Sequence, residues 1–337
     1  MGGSLSSSVR VASGVPQGSI LGPLLFIAFV NSVTSVNLSA SARLVMYADD
    51  LAYICPVSGT TGLDAAHSDI NLIAQHFTST LSLPLNTHKT KSMVFARSEA
   101  GVTQRPMQLA DSPIDSVGRQ RYLGATLNPT LSYTQHASAA VARVKRGVSF
   151  VCRTFRKVVP ASTLCLLYNT LFLPILLYAA AALYPTLKKD RTAIERVQKF
   201  TARSFLRNFN RDVSYDCLLN RLRLLPVYHQ IAVSRLVTCH KYVSGMRYLP
   251  PGCVVSKASA GLRVSPRVDH SRALCVPRVK YSSCVSALSS MCAVYNLLPN
   301  AFVTLPVKQF KRCVSDPAFL VPFLSKCPKS FVEKLSI

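Results

Sequence analysis

Apolar residues follow two different rhythms along the chain, and the change falls near residue 134. Before it, short apolar runs are broken by turn residues; after it, the spacing is mainly helical. Residues 8–12 (SVRVA) alternate as a strand does and run into the loop Ser13-Gly14-Val15-Pro16-Gln17-Gly18. Ser19 is placed to cap the next helix, and Pro23 falls in its first turn, where the missing N–H is harmless. Residues 43–54 (RLVMYADDLAYI) read as a tight hairpin with Ala48-Asp49-Asp50 at the turn. A helix over 64–80, a loop at Leu83-Pro84-Leu85-Asn86, and strands over 91–96 and 122–127 follow, the last closed by Asn128-Pro129. Further on, the periodicity predicts helices over 136–157, 161–184 and 190–208. Gly, Pro and Ser crowd residues 245–272, which read as a linker, and no internal repeat is found.

Composition narrows this picture. With 337 residues, 49% of them apolar and 16% charged, a mainly disordered chain is excluded, and there is room for two domains or one domain with a long extension. The net charge of +25 points to a polyanion, either nucleic acid or an anionic membrane surface. That charge is uneven. Residues 1–140 hold eight Lys/Arg and seven Asp/Glu, whereas 141–337 hold 31 and seven, which suggests two jobs in one chain. No acid precedes Asp49, and Asp50 then follows it directly. The eleven cysteines are irregularly spaced without a CxxC pair, so they read as reduced, mostly buried thiols of an intracellular protein. Trp is absent.

Three segments imitate targeting or membrane signals. Met1-Gly2-Gly3-Ser4-Leu5-Ser6 fits the loose myristoylation pattern, which is common by chance. Residues 20–30 have the apolar character of a signal core but start late and contain Gly22-Pro23. Residues 164–184 are long enough to span a bilayer, yet they carry Asn169, Thr170 and a central Pro174, and a buried helix pair is the better reading.

Two features carry candidate chemistry. Adjacent carboxylates in a turn repel each other, and nothing local pairs them. They make sense as hard oxygen ligands for divalent cations, although Asp is also an ordinary turn residue. In the helix over 190–208, Arg196, Lys199, Arg203 and Arg207 share one face, with Ile194, Val197, Thr201 and Phe205 opposite. This is either a phosphate-tracking stripe or a plain solvated face, and the surrounding excess of positive charge favours nucleic acid.

These residues resemble one family. Ser13 to Ser19 with Leu21-Gly22-Pro23-Leu24, and Tyr47-Ala48-Asp49-Asp50, resemble the SGVPQGS segment and the catalytic YADD of non-LTR (LINE-type, jockey-like) retrotransposon reverse transcriptases. Residues 83–90 with Met93-Val94-Phe95 resemble the next palm motif, and Arg121-Tyr122-Leu123-Gly124 with Leu131 and His136 the element after it. Residues 164–225 and 293–314 are similar to the family's later helical region and C-terminal ending. The resemblance implies an α+β chain: a partial right-hand polymerase palm over 1–130, a helical thumb-like region over 131–245, and a linker with a basic C-terminal region over 246–337. It implies RNA-directed DNA synthesis with two Mg²⁺ ions, Mn²⁺ being a substitute, on an RNA template and a DNA primer or target with dNTPs. A nuclear location without a membrane follows by family analogy.

Carried over by position, Asp49 and Asp50 are metal ligands. Pro16, Gln17, Gly18, Tyr47 and Ala48 border nucleotide and template. Lys89 is a candidate to neutralise charge or donate a proton near the triphosphate, or else an exposed lysine. Tyr122, Leu123 and Gly124 match the strand that grips the primer, or form a plain edge strand. The chain departs from the family at the front. The family's third metal-binding Asp lies upstream of the SGVPQGS segment, and there is no acid here before Asp49. Tyr133 and Tyr295 stand where the family often has Trp. The expectation is the C-terminal part of a longer polymerase, weak or inactive alone, or a basic nucleic-acid-binding remnant of one.

Overall fold

A computed structural model describes residues 14–57, 59–96, 106–109, 112–182, 187–250, 252–265, 270–277 and 286–327. The strand expected over 8–12 and the myristoylation-like start lie outside the described residues. The fold is α+β; among the described residues the small sheets lie within the first 127 and helices occur throughout. It divides into one unit of residues 1–94 with 100–118 and a second of 95–99 with 119–337.

The first unit begins its described part with α1 (Gly22–Val30). The N-cap position is Leu21 and not Ser19 as expected, yet the Ser19 Oγ two residues earlier accepts the N–H of Gly22, the first helical residue, at 3.1 Å. A Cβ at position 22 would sit 2.7 Å from that oxygen, so a larger residue there would displace the Ser19 hydroxyl from this bond. The hairpin of β1 (Arg43–Tyr47) and β2 (Asp50–Ile54) is antiparallel, with Tyr47 opposite Asp50. Its two-residue alternation turns Leu44, Met46, Leu51 and Tyr53 onto a core of Val30, Val33, Ile73, Phe77 and Leu81. Ile73 belongs to α2 (Gly59–Gln75), which runs on into a wider π turn at His76–Thr80. The strand expected over 91–96 is only β3 (Lys91–Ser92), paired parallel to β5 (Ser112–Ser116), which also pairs with β4 (Met107–Leu109).

The second unit opens with a correction. Residues 122–127 are not one strand but part of a hairpin, β6 (Gln120–Tyr122) and β7 (Ala125–Leu127). The chain reverses at Leu123 (φ 46°) and Gly124 (φ 79°), a pair of left-handed residues that alternation alone does not reveal. Helices follow: α3 (Thr134–Phe155), α4 (Ala161–Leu167), α5 (Leu173–Leu177), α6 (Lys188–Leu206), α7 (Tyr215–Leu222) and α8 (Val227–Val243). The helix expected over 161–184 stops at Leu177, after a π turn at Tyr168–Phe172 that precedes Pro174. Proline cannot donate back along the helix, so the ladder distorts around it. Among the described residues no helix is long and apolar enough to cross a membrane.

The apolar face of α3 (Ala137, Ala140, Val144, Val148, Val151) packs against α6 through Ile194, Val197 and Phe205. The same core continues through α8 into α9 (Ser286–Tyr295), α11 (Val307–Ser315) and α12 (Pro317–Lys326), with the short α10 (Asn300–Val303) between. The Gly/Pro/Ser-rich stretch is tied to these helices. His270 bonds the Tyr295 carbonyl at 2.9 Å, and Asn296 exchanges two 2.8 Å bonds with the Leu274 backbone. The described cysteines are free thiols, of which Cys165, Cys239 and Cys292 are buried; the others are half-buried, less hidden than their composition suggested.

Candidate functional site

Asp49 and Asp50 stand at the tip of the β1–β2 hairpin, both exposed, as are Tyr47 and Ala48. Ala48 takes the left-handed conformation (φ 51°), which costs a residue with a Cβ about 1–2 kcal/mol. Strain of this kind gathers at functional sites. The base of the hairpin is held by Asp69 of α2, a side chain only 4% exposed. Its carboxylate accepts the Tyr53 hydroxyl at 2.7 Å and the Ser39 backbone N–H at 3.1 and 3.2 Å. Burial, then this hydrogen bond, pushes the Tyr53 phenol far above its ordinary range, so it remains a donor. Asp69 was not legible as functional, because one acid in an amphipathic helix looks solvated.

The loop before α1 closes by a bond from the Ser19 N–H to the Pro16 carbonyl at 3.1 Å, with Gly18 at φ 85°. That is the third position of a turn demanding a positive φ, which glycine accepts without strain. Pro16, Gln17 and Gly18 are exposed. Lys89 is exposed on a turn organised by Asn86, whose side-chain oxygen accepts the Lys89 N–H at 3.0 Å and whose carbonyl accepts the Thr90 hydroxyl at 2.8 Å. Lys91, two residues on, is committed to an ion pair with Asp115 at 2.5 Å.

In the second unit, Tyr122, Leu123 and Gly124 form the reversal of the β6–β7 hairpin. Two groups clamp it. His136 of α3 accepts the Thr126 N–H through Nδ1 at 3.3 Å, and the Tyr178 hydroxyl donates to the Leu123 carbonyl. Burial holds the imidazole below its usual pKa, which preserves it as a neutral acceptor. The Tyr178 ring also fills the space where a Cβ on Gly124 would lie, 3.1 Å from the hydroxyl. Tyr178→Phe removes the bond and keeps the ring, so the expected loss is about 1 kcal/mol. Amide exchange at Leu123–Ala125 should quicken while α6 stays protected; an unchanged hairpin would show that the clamp contributes nothing.

The basic stripe of α6 is present only in part. Ile194, Val197, Thr201 and Phe205 are buried and Arg196 is exposed, as expected. Lys199 and Arg203 are half-buried. Burial, then Arg203 and Arg196, pushes the Lys199 ammonium down. Arg207 does not continue the helical face: it is the left-handed C-cap at φ 54°, and its guanidinium donates to the Arg156 carbonyl at 3.1 Å. Arg203 likewise donates to the Asn210 carbonyl at 3.3 Å. Among the described residues, no group of three or more His, Cys, Asp or Glu side chains is arranged to hold a metal.

An exposed Tyr-Ala-Asp-Asp tip on an α+β unit, behind an SGVPQGS turn, defines a class that comparison with known proteins makes specific. The reverse transcriptase (RNA-dependent DNA polymerase) family matches residues 1–127. That match covers well under half of the chain, and the relatives similar to it come from non-LTR transposons. The probable RNA-directed DNA polymerase from transposon BS of Drosophila melanogaster is 30% identical over 143 residues, 39% of this chain and 15% of that protein. Its counterpart from transposon X-element of the same fly is 26% identical over 150 residues, covering 43% of this chain and 16% of that protein. A Pol polyprotein from type-1 retrotransposable element R1 2 of Nasonia vitripennis is 23% identical over 215 residues, 61% of this chain and 52% of the relative. The matched part is thus a small share of the two fly proteins. No solved structure matches significantly.

Proposed function

We propose that the chain is part of an RNA-directed DNA polymerase of a non-LTR retrotransposon, with Asp49 and Asp50 as its metal-binding carboxylates. The observation that carries this is the Tyr47-Ala48-Asp49-Asp50 hairpin tip, which presents two adjacent carboxylates to solvent from a strained turn. The donor set suits Mg²⁺, which commonly uses one or two carboxylates and takes its remaining ligands from water and substrate phosphates. A pair of such ions supplies activation of a primer 3′ hydroxyl and neutralisation of charge on the departing pyrophosphate. The chain's own part is to orient. Asp69 and Tyr53 fix the hairpin base, the Pro16–Ser19 turn borders the incoming nucleotide and template, and the exposed Lys89 meets triphosphate charge. The clamped Tyr122-Leu123-Gly124 reversal supports the primer strand, and on α6 the exposed Arg196, with Lys199 beside it, supports the nucleic-acid backbone.

Two carboxylates hold metals in poorer geometry than three, and no acid precedes Asp49 in this chain. Primer extension by the 337-residue chain with Mg²⁺ is therefore expected to be weak and to disappear in Asp49→Asn. Extension that survives the substitution would overturn the site. Robust extension that is lost with it would overturn only the weakness. A second reading, a non-catalytic nucleic-acid-binding remnant, is favoured by the concentration of positive charge in residues 141–337, which hold 31 Lys/Arg against seven Asp/Glu. It predicts salt-sensitive binding indifferent to Asp49 and no extension at all.

A further inference from the structure

The solvent face of α3 carries residues that the polymerase reading leaves unassigned. Arg143, Arg146, Phe150 and Arg153 follow one another at spacings of three, four and three, so they lie along a single face. All four are exposed, while Ala140, Val144, Val148 and Val151 on the far side are buried. The stripe is about 15 Å long, the length of about four nucleotides at duplex rise.

Two observations set this face apart from an ordinary solvated one. Soluble helix faces mix both signs of charge, but no Asp or Glu occurs between Asp115 and Asp190. Asp190 itself is buried and accepts the Thr134 hydroxyl at 2.7 Å, so it is spent at the start of α3. No ion pair or hydrogen bond engages the Arg143, Arg146 or Arg153 side chains among the described residues. In addition, Phe150 is 57% exposed and stands between Arg146 and Arg153 on the same face. Cations that track a backbone, interleaved with an aromatic ring, are the means by which proteins hold single strands: the ring stacks on a base that no complementary strand covers.

We infer that this face of α3 binds single-stranded nucleic acid, with Arg143, Arg146 and Arg153 on phosphates and Phe150 stacked on a base. The inference deepens the nucleic-acid side of the proposed function and is independent of Asp49 and Asp50. It also differs from the α6 stripe, where Arg203 and Arg207 are already engaged by carbonyl groups.

Fluorescence anisotropy with the full chain tests it, using a labelled oligouridine and a labelled duplex of about 20 nucleotides each, which is longer than one binding site. With Arg143, Arg146 and Arg153 all replaced by Gln, the slope of log affinity against log salt for the single strand should fall by about 2, at about 0.7 per phosphate lost. Replacement of all three by Lys should restore it. Phe150→Ala should weaken single-strand binding about ten-fold or more without changing the slope, and should leave duplex binding unaltered. Far-UV circular dichroism confirms that each variant is folded. If the chain binds neither probe, both this inference and the proposed function fall. If it binds oligouridine and the Gln variant keeps the full slope, or Phe150→Ala weakens both probes equally, only this inference falls.

Discussion

Glu195→Ala is expected to destabilise the chain by about 3 kcal/mol, seen as a lower urea midpoint, because it strands several buried donors at once. Glu195 lies on α6 and is 2% exposed. One carboxylate oxygen accepts the Tyr228 N–H at 2.6 Å; the other accepts the Tyr215 hydroxyl at 2.6 Å and the Val227 N–H at 3.3 Å. The two amides open α8, so the carboxylate of one helix caps the N-terminus of another, where the helix dipole also favours it. Alanine would leave two amides and a hydroxyl without acceptors inside the protein. Glutamine keeps one acceptor oxygen and should lose roughly half as much.

The pH dependence separates these substitutions further. Burial raises the Glu195 pKa above 4.5, outweighing the hydrogen bonds from Tyr215, Tyr228 and Val227 that lower it. A carboxyl raised on folding contributes stability that is full below its unfolded pKa and is lost as pH rises through the folded value. Unfolding free energies measured from about pH 4 to 7 should show Glu195→Gln gaining on the unchanged chain as pH rises. A gap that widens against Gln over that interval would reverse the assignment and make the carboxylate the preferred folded form.

Under the proposed function, Asp49→Asn is expected to have the opposite profile: a large effect on activity and almost none on folding. Asp49 is exposed at a hairpin tip, and its charge adjoins that of Asp50. Surface changes of this kind stay within about 0.5 kcal/mol, and relief of repulsion should offset the lost charge. The thermal midpoint is therefore expected to move by no more than about 2 °C. Mg²⁺-dependent extension should vanish, because asparagine keeps the shape but withdraws the anionic oxygen that a hard cation requires. A variant with an unchanged midpoint and unchanged extension would exclude Asp49 from the chemistry. A midpoint that falls by several degrees would mean that the side chain holds the hairpin together.

Much of the site was legible in sequence, for a physical reason. A two-residue alternation on both sides of a two-residue turn suits a hairpin, and the observed Tyr47–Asp50 pairing agrees with that local pattern. The Ser19–Gly22 hydrogen bond and the amphipathic burial of Ile194, Val197 and Phe205 are equally local. What the sequence could not supply were partnerships between distant residues. Leu123 and Gly124 read as part of a strand because nothing near them announces Tyr178, 55 residues away, whose hydroxyl holds the reversal. Arg207 reads as the fourth member of a helical stripe because the spacing continues, yet the chain has already left the helix there.

The sequence by itself determined the likeness of residues 1–127 to the reverse transcriptase family, the acidic pair and the concentration of positive charge in the rest, since each is a matter of residue identity and short spacing. The tertiary structure alone decided which polar groups are spent on folding and which remain for a partner. Asp69, Asp190 and Glu195 are acids consumed by internal hydrogen bonds, whereas Arg143, Arg146 and Arg153 lie open on α3. Charge is a property of the residue, but its availability depends on burial and on neighbours brought from far along the chain, and only packing fixes those.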